Sequence, residues 1–238
     1  MSKKIALVTG VSRGIGKAMV EALKEQSYTV VGCARKKEDA LSSGVDRAYG
    51  CDVSRSEDVD QMLSEFKSEF SELHVLVNNA GLAFTTDLSE RENDENWLRV
   101  IDVNLNGPYF VTKRFLPLLK PHARIINVSS VLGLRAVPAS AAYCAAKFGL
   151  IGFTKSMAIQ LAPKKITVNA ICPGWVDTEM AAERLQAFRT TQEEASREVP
   201  MGRFLKAEEI AAVLCFLCSD AAAMITGETL RIDGGSFI

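Results

Sequence analysis

Residues 9–16 read TGVSRGIG, directly after the apolar run IALV at residues 5–8. Glycines clustered behind a strand-like run bring a backbone close to something, and their spacing restricts what that is. A P-loop is excluded: Gly10 would need a glycine at position 15 followed by Lys and Ser or Thr, but position 15 is Ile and Gly16-Lys17 is followed by Ala18. The dinucleotide fingerprint G-x-G-x-x-G is also absent, because the glycines fall as G-x-x-x-G-x-G. By itself the stretch supports a strand, a turn and a helix. The turn either holds a phosphate or merely reverses the chain.

Outward from this turn, strand and helix signals alternate along the chain. The spacing predicts a first helix over 15–26, strands over 29–34 and 47–53, and a helix over 56–70 capped by Ser54 or Ser56. A buried strand follows over 74–81, then one long helix over 93–119 kinked at Gly107-Pro108. Further strands are expected over 124–130, 166–174 and 229–235, with a helix over 139–161. Continuous apolar strands separated by helices indicate a parallel sheet covered on both faces, a doubly wound Rossmann-type α/β fold of seven strands. No internal repeat or linker interrupts residues 1–238, which read as a single domain. Residues 176–199, polar and charged, break the rhythm and read as a lid.

Composition fits this class. The chain has 238 residues, 47% hydrophobic and 24% charged, with a net charge of -1, so a core is affordable and no basic block calls for nucleic acid or an anionic membrane. The N-terminus lacks a signal-peptide pattern, and no apolar run reaches the roughly 18 residues of a membrane span. The expectation is a cytoplasmic protein with six free thiols. Cys215 and Cys218 form C-x-x-C inside an apolar helical run, with no second pair or nearby His for zinc. They read as core packing, and no metal site is expected.

In an open parallel sheet, ligands bind beyond the carboxyl ends of the strands. The turns at 10–13, 34–36, 51–53, 78–81, 129–130 and 173–174 all fall there and would line one rim. The next helix contributes YCAAK, with Tyr143 and Lys147 at i and i+4 on one helical face. A phenol normally ionises near pH 10. A cation about 4 Å away stabilises the phenolate by roughly 4 kcal/mol at an effective dielectric near 20, which brings the group into a useful acid/base range. The plainer reading is an amphipathic helix with an exposed Lys and a half-buried Tyr.

The motifs together favour chemistry. T-G-x-x-x-G-I-G at 9–16, N-N-A-G at 78–81, Asn104, Ser129-Ser130, Y-x-x-x-K at 143–147 and Pro173-Gly174 follow one another over nearly the whole chain. In these residues the sequence resembles the short-chain dehydrogenase/reductase family in its compact single-domain branch. Through GRF, ITGETL and the terminal DGG it is most similar to the β-ketoacyl-carrier-protein reductases. The resemblance implies that Tyr143 protonates the carbonyl oxygen and that Lys147 lowers its pKa and hydrogen-bonds the nicotinamide ribose. It implies that Ser130, rather than Ser129, polarises the carbonyl, with Ser130 and Tyr143 the substrate-binding pair. Asn104 would keep a water that relays protons to Lys147.

The same resemblance implies a site for NADP(H). Gly10, Ser12, Arg13 and Ile15 would surround the phosphates and adenosine ribose at a helix N-terminus, where amides and dipole favour anions. Asp52 and Val53 would meet the adenine, Asn79, Ala80 and Gly81 the adenosine-side backbone, and Val176 and Thr178, after Pro173 and Gly174, the carboxamide. An NAD-selective site ends its second strand in an acid. Here that strand ends Cys33-Ala34-Arg35-Lys36, and Arg35 with Arg13 suits a 2'-phosphate.

The expected function is NADPH-dependent reduction of a 3-oxoacyl or related ketone, on a small-molecule substrate that a carrier protein could present. Alternatives are an alcohol dehydrogenase oxidising a sugar, sterol or hydroxy acid, and a regulator that senses NADP(H) without turnover. Substrate-lining positions are expected at 82–84, 131–137, Trp175 and Met180, with Leu185 and Phe188 also closing over substrate. Lys120, Lys164 and Lys165 are candidates for a basic patch at the mouth. Cys144 stands where the family more often has Ser. The small residues of the 139–161 helix suggest pairing between subunits, and similar proteins make the expected assembly a homotetramer.

Overall fold

Runs such as IALVT and TVVGCA contain almost no polar residue, so neither face of such a strand can be left wet. The chain solves this with helices on both sides. A computed structural model describes residues 3–85 and 94–237. In chain order its main elements are β1 Ile5–Thr9, α1 Gly14–Glu25, β2 Thr29–Ala34, α2 Lys37–Leu41, β3 Arg47–Gly50, α3 Ser56–Glu69, β4 Leu73–Asn78, α4 Asp94–Ile101 and α5 Gly107–Phe115. They continue as β5 Leu119–Val128, α6 Ala141–Leu161, β6 Thr167–Pro173, α7 Glu179–Ala187, α8 Gln192–Arg197, α9 Ala207–Cys218 and β7 Thr229–Ile232. The seven strands form one parallel sheet in the order β3-β2-β1-β4-β5-β6-β7. The chain changes direction of winding between β1 and β4, and that switch point is where a crevice opens at the strands' carboxyl ends.

Alternation along the strands separates two cores. Ala6 and Val8 pack with Met19 and Leu23 of α1 and with Ile210, Leu214 and Leu217 of α9. Leu7 and Val31 face the opposite side, against Met62 and Phe66 of α3, Phe115 of α5 and Leu161 of α6. The rings of Phe66 and Phe115 meet edge to face at 5.3 Å. Cys218 is buried against the α1 side, Cys215 is half-buried, and all six cysteines are free. Among the described residues no helix is long and apolar enough to cross a membrane, and no cluster of potential metal ligands occurs.

Several boundaries differ from expectation. The single helix expected over 93–119 is interrupted: α4 leads into a π-helical turn at Asp102–Asn106, α5 starts at Gly107, and a 3-10 turn, Leu116–Leu118, precedes β5. Residue 93 lies outside the described residues. The irregularity is the π-helical turn directly before Gly107-Pro108, and Pro108 sits in the first turn of α5. Strand β5 begins five residues early, at Leu119, and its pairing with β4 slips between Leu73 and Val75. Strand β3 stops at Gly50, because Asp52 turns the chain by accepting from the Ser54 amide and hydroxyl. Neither Ser54 nor Ser56 caps α3; Arg55 holds the cap position without a side-chain hydrogen bond.

Candidate active site

The glycine turn is fastened to the end of β4. Thr9 Oγ1 accepts from the amides of Asn79 and Ala80, both at 3.0 Å. The Asn79 side-chain amide donates back to the carbonyls of Thr9 (3.0 Å) and Gly10 (2.9 Å). This contact explains the glycines. A Cβ at Gly16 would lie 2.1 Å from the Gly10 carbonyl oxygen, and one at Gly10, whose φ is +70°, would lie 2.7 Å from the Ala80 Cα. Between these two turns α1 begins with no side chain capping its first amides. Those amides are donors without a protein acceptor, and with the helix dipole they suit an anion.

A second polar layer sets α5 and α6 against the sheet. Asn78 on β4 donates to Thr112 on α5 (3.1 Å) and to Asn127 on β5 (2.8 Å), and Asn127 donates to Thr154 on α6 (2.8 Å). All four are buried, so each hydrogen bond avoids a desolvated polar group and fixes how α6 lies over the strands. Sequence reasoning assigned these residues no such role.

Held in this way, α6 presents Tyr143 and Lys147 to the crevice. Lys147 is buried and its ammonium donates to the Val128 carbonyl at 2.8 Å. Burial lowers its pKa to about 8. Burial pushes the Tyr143 phenol up, while the Arg184 guanidinium and then the Ser130 hydroxyl pull it down. The cation expected to act on Tyr143 was Lys147. Here the guanidinium of Arg184 lies 5.3 Å from the Tyr143 ring centre and the Lys147 ammonium 5.5 Å. The two serines face opposite ways: Ser129 Oγ donates to the Lys147 main-chain carbonyl (3.0 Å), whereas Ser130 Oγ accepts from the Leu132 amide (3.1 Å) and faces Tyr143.

Asn104 lies in the π-helical turn, a form that recurs at functional sites. Its side chain is occupied: Nδ2 donates to the carbonyls of Leu82 (2.8 Å) and Val100 (2.9 Å), and Oδ1 accepts from the Leu82 amide (3.3 Å). Both of its side-chain N–H donors are therefore spent inside the protein.

One cleft of about 980 Å³ brings the expected site residues together. Its wall includes Gly10, Ser12, Arg13, Ile15, Arg35, Asp52, Val53, Asn79, Ala80 and Gly81 on the α1 side. Asn104, Ser130, Tyr143, Lys147, Pro173, Gly174, Val176 and Thr178 complete it. Leu82, Ala83, Phe84, Val131, Leu132, Trp175 and Met180 line it as expected. Leu185 does not: it is buried with Ala181 and Ala195 against Phe204 and Trp175, in a small cluster that packs the 176–199 segment onto its flanking residues. Lys120, Lys164 and Lys165 are not at the mouth. Lys120 lies at the start of β5 and Lys164 and Lys165 just before β6, at the amino-terminal edge of the sheet, and Lys120 pairs with Glu72 at 3.4 Å.

Sequence reasoning missed Glu183, Arg184 and Phe237, which also line the cleft. Arg13 pairs with Glu183 at 3.1 Å, tying the glycine turn to α7. The ends of the segment carrying α7 and α8 are joined at its base: Leu205 bridges Val176, with the Leu205 amide donating to Trp175 and the Asp177 amide to Leu205, both at 2.8 Å.

Comparison with known proteins agrees with this architecture. The family model described as Enoyl-(Acyl carrier protein) reductase matches residues 10–236. The chain is 38% identical over 247 residues to the 3-oxoacyl-(acyl-carrier-protein) reductase of Haemophilus influenzae, covering 100% of both. It superposes on the 3-ketoacyl-(acyl-carrier-protein) reductase of Brucella melitensis, solved with NADH, with a TM-score of 0.90 and 33% identity, covering 99% of this chain and 98% of that one. It also superposes on the aldohexose dehydrogenase of Thermoplasma acidophilum with a TM-score of 0.90 and 31% identity, covering 98% and 94%. The chain belongs to the short-chain dehydrogenase/reductase family, as a nicotinamide-dependent oxidoreductase acting between carbonyl and alcohol groups.

Proposed function

We propose that this enzyme reduces a 3-oxoacyl or related ketone with NADPH, Tyr143 acting as general acid. The observation that carries the reading is the junction, in one cleft, of an uncapped helix N-terminus at the glycine turn with the Ser130, Tyr143 and Lys147 group. The residues fit the cofactor. Amides of α1 would hold its phosphates, Asp52 and Val53 the adenine side, and Val176 and Thr178 the carboxamide. Arg35, exposed at the end of β2 with no carboxylate partner among the described residues, would meet a 2'-phosphate together with Arg13.

Bound there, NADPH supplies the hydride. Ser130 Oγ would hold the substrate carbonyl oxygen, and Tyr143 would hydrogen-bond the same oxygen and pass its proton to it. Lys147, charged below pH 8, favours the phenolate that remains and, through the water kept at Asn104, restores its proton. The 176–199 segment would close over the substrate, with Met180 and Phe188 on its inner side. The setting is the cytoplasm, and a carrier protein is a possible source of the substrate, as the name of the Haemophilus relative implies.

The likeness to an aldohexose dehydrogenase favours one second reading, oxidation of a hydroxyl of a sugar on the same residues. Initial rates in both directions with β-ketoacyl thioesters, simple ketones and aldohexoses separate the two. The cofactor part is tested by kcat/KM for NADPH and NADH in wild type and Arg35→Asp. Wild type should prefer NADPH by about 100-fold, since two charge-assisted bonds are each worth roughly 1.5–3 kcal/mol. The variant should lose most of that preference. Equal use of the two cofactors by wild type would overturn the NADPH assignment.

A further inference from the structure

Several arginines on the outer surface are paired with acids: Arg114 holds Asp60 and Arg203 holds Glu209. Arg184, on α7 at the substrate end of the cleft, is not. Its guanidinium lies between two rings, 5.3 Å from the Tyr143 centre and 5.0 Å from that of Phe188. One nitrogen donates at 3.2 Å to Ser140 Oγ, a neutral and buried partner. The adjacent carboxylate, Glu183, is taken by Arg13. Arg184 has no carboxylate partner among the described residues, and it lines both the main cleft and a smaller cavity of about 260 Å³ beside it. Arg99 and Arg135 also line the cleft over a ring, 5.9 Å from Phe84 and 3.3 Å from Phe237, and have no carboxylate partner among the described residues, but both are exposed and keep their water.

A half-buried guanidinium that gives up bulk water without gaining a counter-charge is costly, and a planar fork matches a carboxylate. We propose that Arg184 is the specificity-determining residue of the substrate site, holding the carboxylate of a short oxo acid whose carbonyl lies at Tyr143. The inference rests on the carbonyl-reduction reading and takes its related-ketone branch, a free oxo acid, because a carrier-bound 3-oxoacyl thioester has no carboxylate for Arg184 to hold. The nearness of Arg184 to the Tyr143 ring means that the two oxygens belong to one small molecule, as in a 2-oxo or 3-oxo acid. In the reaction the carbonyl carbon gains the hydride, its oxygen gains the Tyr143 proton, and the carboxylate leaves unchanged. Burial lowers the Arg184 pKa, in line with a site that lacks its anion.

The test compares kcat/KM for 2-oxobutanoate and 3-oxobutanoate with their methyl esters, in wild type, Arg184→Gln and Arg184→Lys. Wild type should prefer the acid of at least one pair by about 10- to 100-fold, as expected for one charge-assisted bond. Glutamine should bring that acid-to-ester ratio close to one, mainly through KM of the acid, and lysine should restore part of it. An acid-to-ester ratio near one in wild type, or a ratio unchanged by Arg184→Gln, overturns the assignment while leaving ketone reduction intact. The wild-type ratio decides even if a variant fails to fold. Wild type that turns over no carbonyl compound at all removes the reduction reading, and this inference with it.

Discussion

Buried Lys147 carries an electrostatic consequence for the stability of the whole chain. Its folded-state pKa of about 8 lies below the ordinary value of 10.5 because the ammonium is buried. Between these values the unfolded chain binds the proton that the folded one has released, so this group makes stability rise with pH across the window. The rise amounts to up to about 3 kcal/mol. Urea titrations between pH 8 and 10.5 should therefore show wild type gaining on Lys147→Met by that order. Parallel pH profiles would mean that the ammonium is solvated. The same residue marks the edge of what was legible from sequence. The i, i+4 spacing predicted that Tyr143 and Lys147 share a face and line one cleft, as they do. It could not tell that the ammonium spends a hydrogen bond on Val128, or that Arg184, 41 positions on, supplies the nearer cation.

At the level of elements, period and composition predicted the seven parallel strands and the longer helices, because fully apolar strands leave little choice. They failed where tertiary contacts decide. The π-helical turn at Asp102–Asn106 has no signature in residue type, and the early start of β5 depends on its partner strand. The fastening of α7 to the glycine turn was invisible for the same reason: Arg13 and Glu183 lie 170 positions apart. That pair has a functional consequence. Glu183 occupies the guanidinium proposed for the 2'-phosphate, so the ion pair competes with NADPH for Arg13. An exposed pair of this kind is worth about 0.2–1 kcal/mol. Glu183→Gln should accordingly tighten NADPH binding about two- to fivefold and leave NADH binding unchanged, measured by titrating cofactor fluorescence. Equal changes for both cofactors would place Arg13 away from the phosphate.

Across the whole molecule, the face formed by α5 and α6 is left open. A helix as apolar around its circumference as α6 belongs in an interior, yet Phe148 and Ile159 on it are exposed, as is Tyr109 on α5, and a Cβ at Gly152 would meet nothing within 4 Å. A second copy of the chain would cover such a face, and the assembly we propose is a homotetramer. Light scattering at micromolar concentration should give about four times the 25.9 kDa chain mass; a stable monomer would exclude it.

Cleft, glycine turn and the 176–199 segment serve one proposal, that Tyr143 delivers the proton in carbonyl reduction. The most direct measurement is kcat for ketone reduction by Tyr143→Phe, alongside its Kd for NADPH. Removing only the hydroxyl should cost about 10²–10⁴-fold in kcat, the usual contribution of a general acid, with cofactor affinity nearly unchanged. A variant that binds NADPH normally and keeps more than half of the wild-type rate would contradict it.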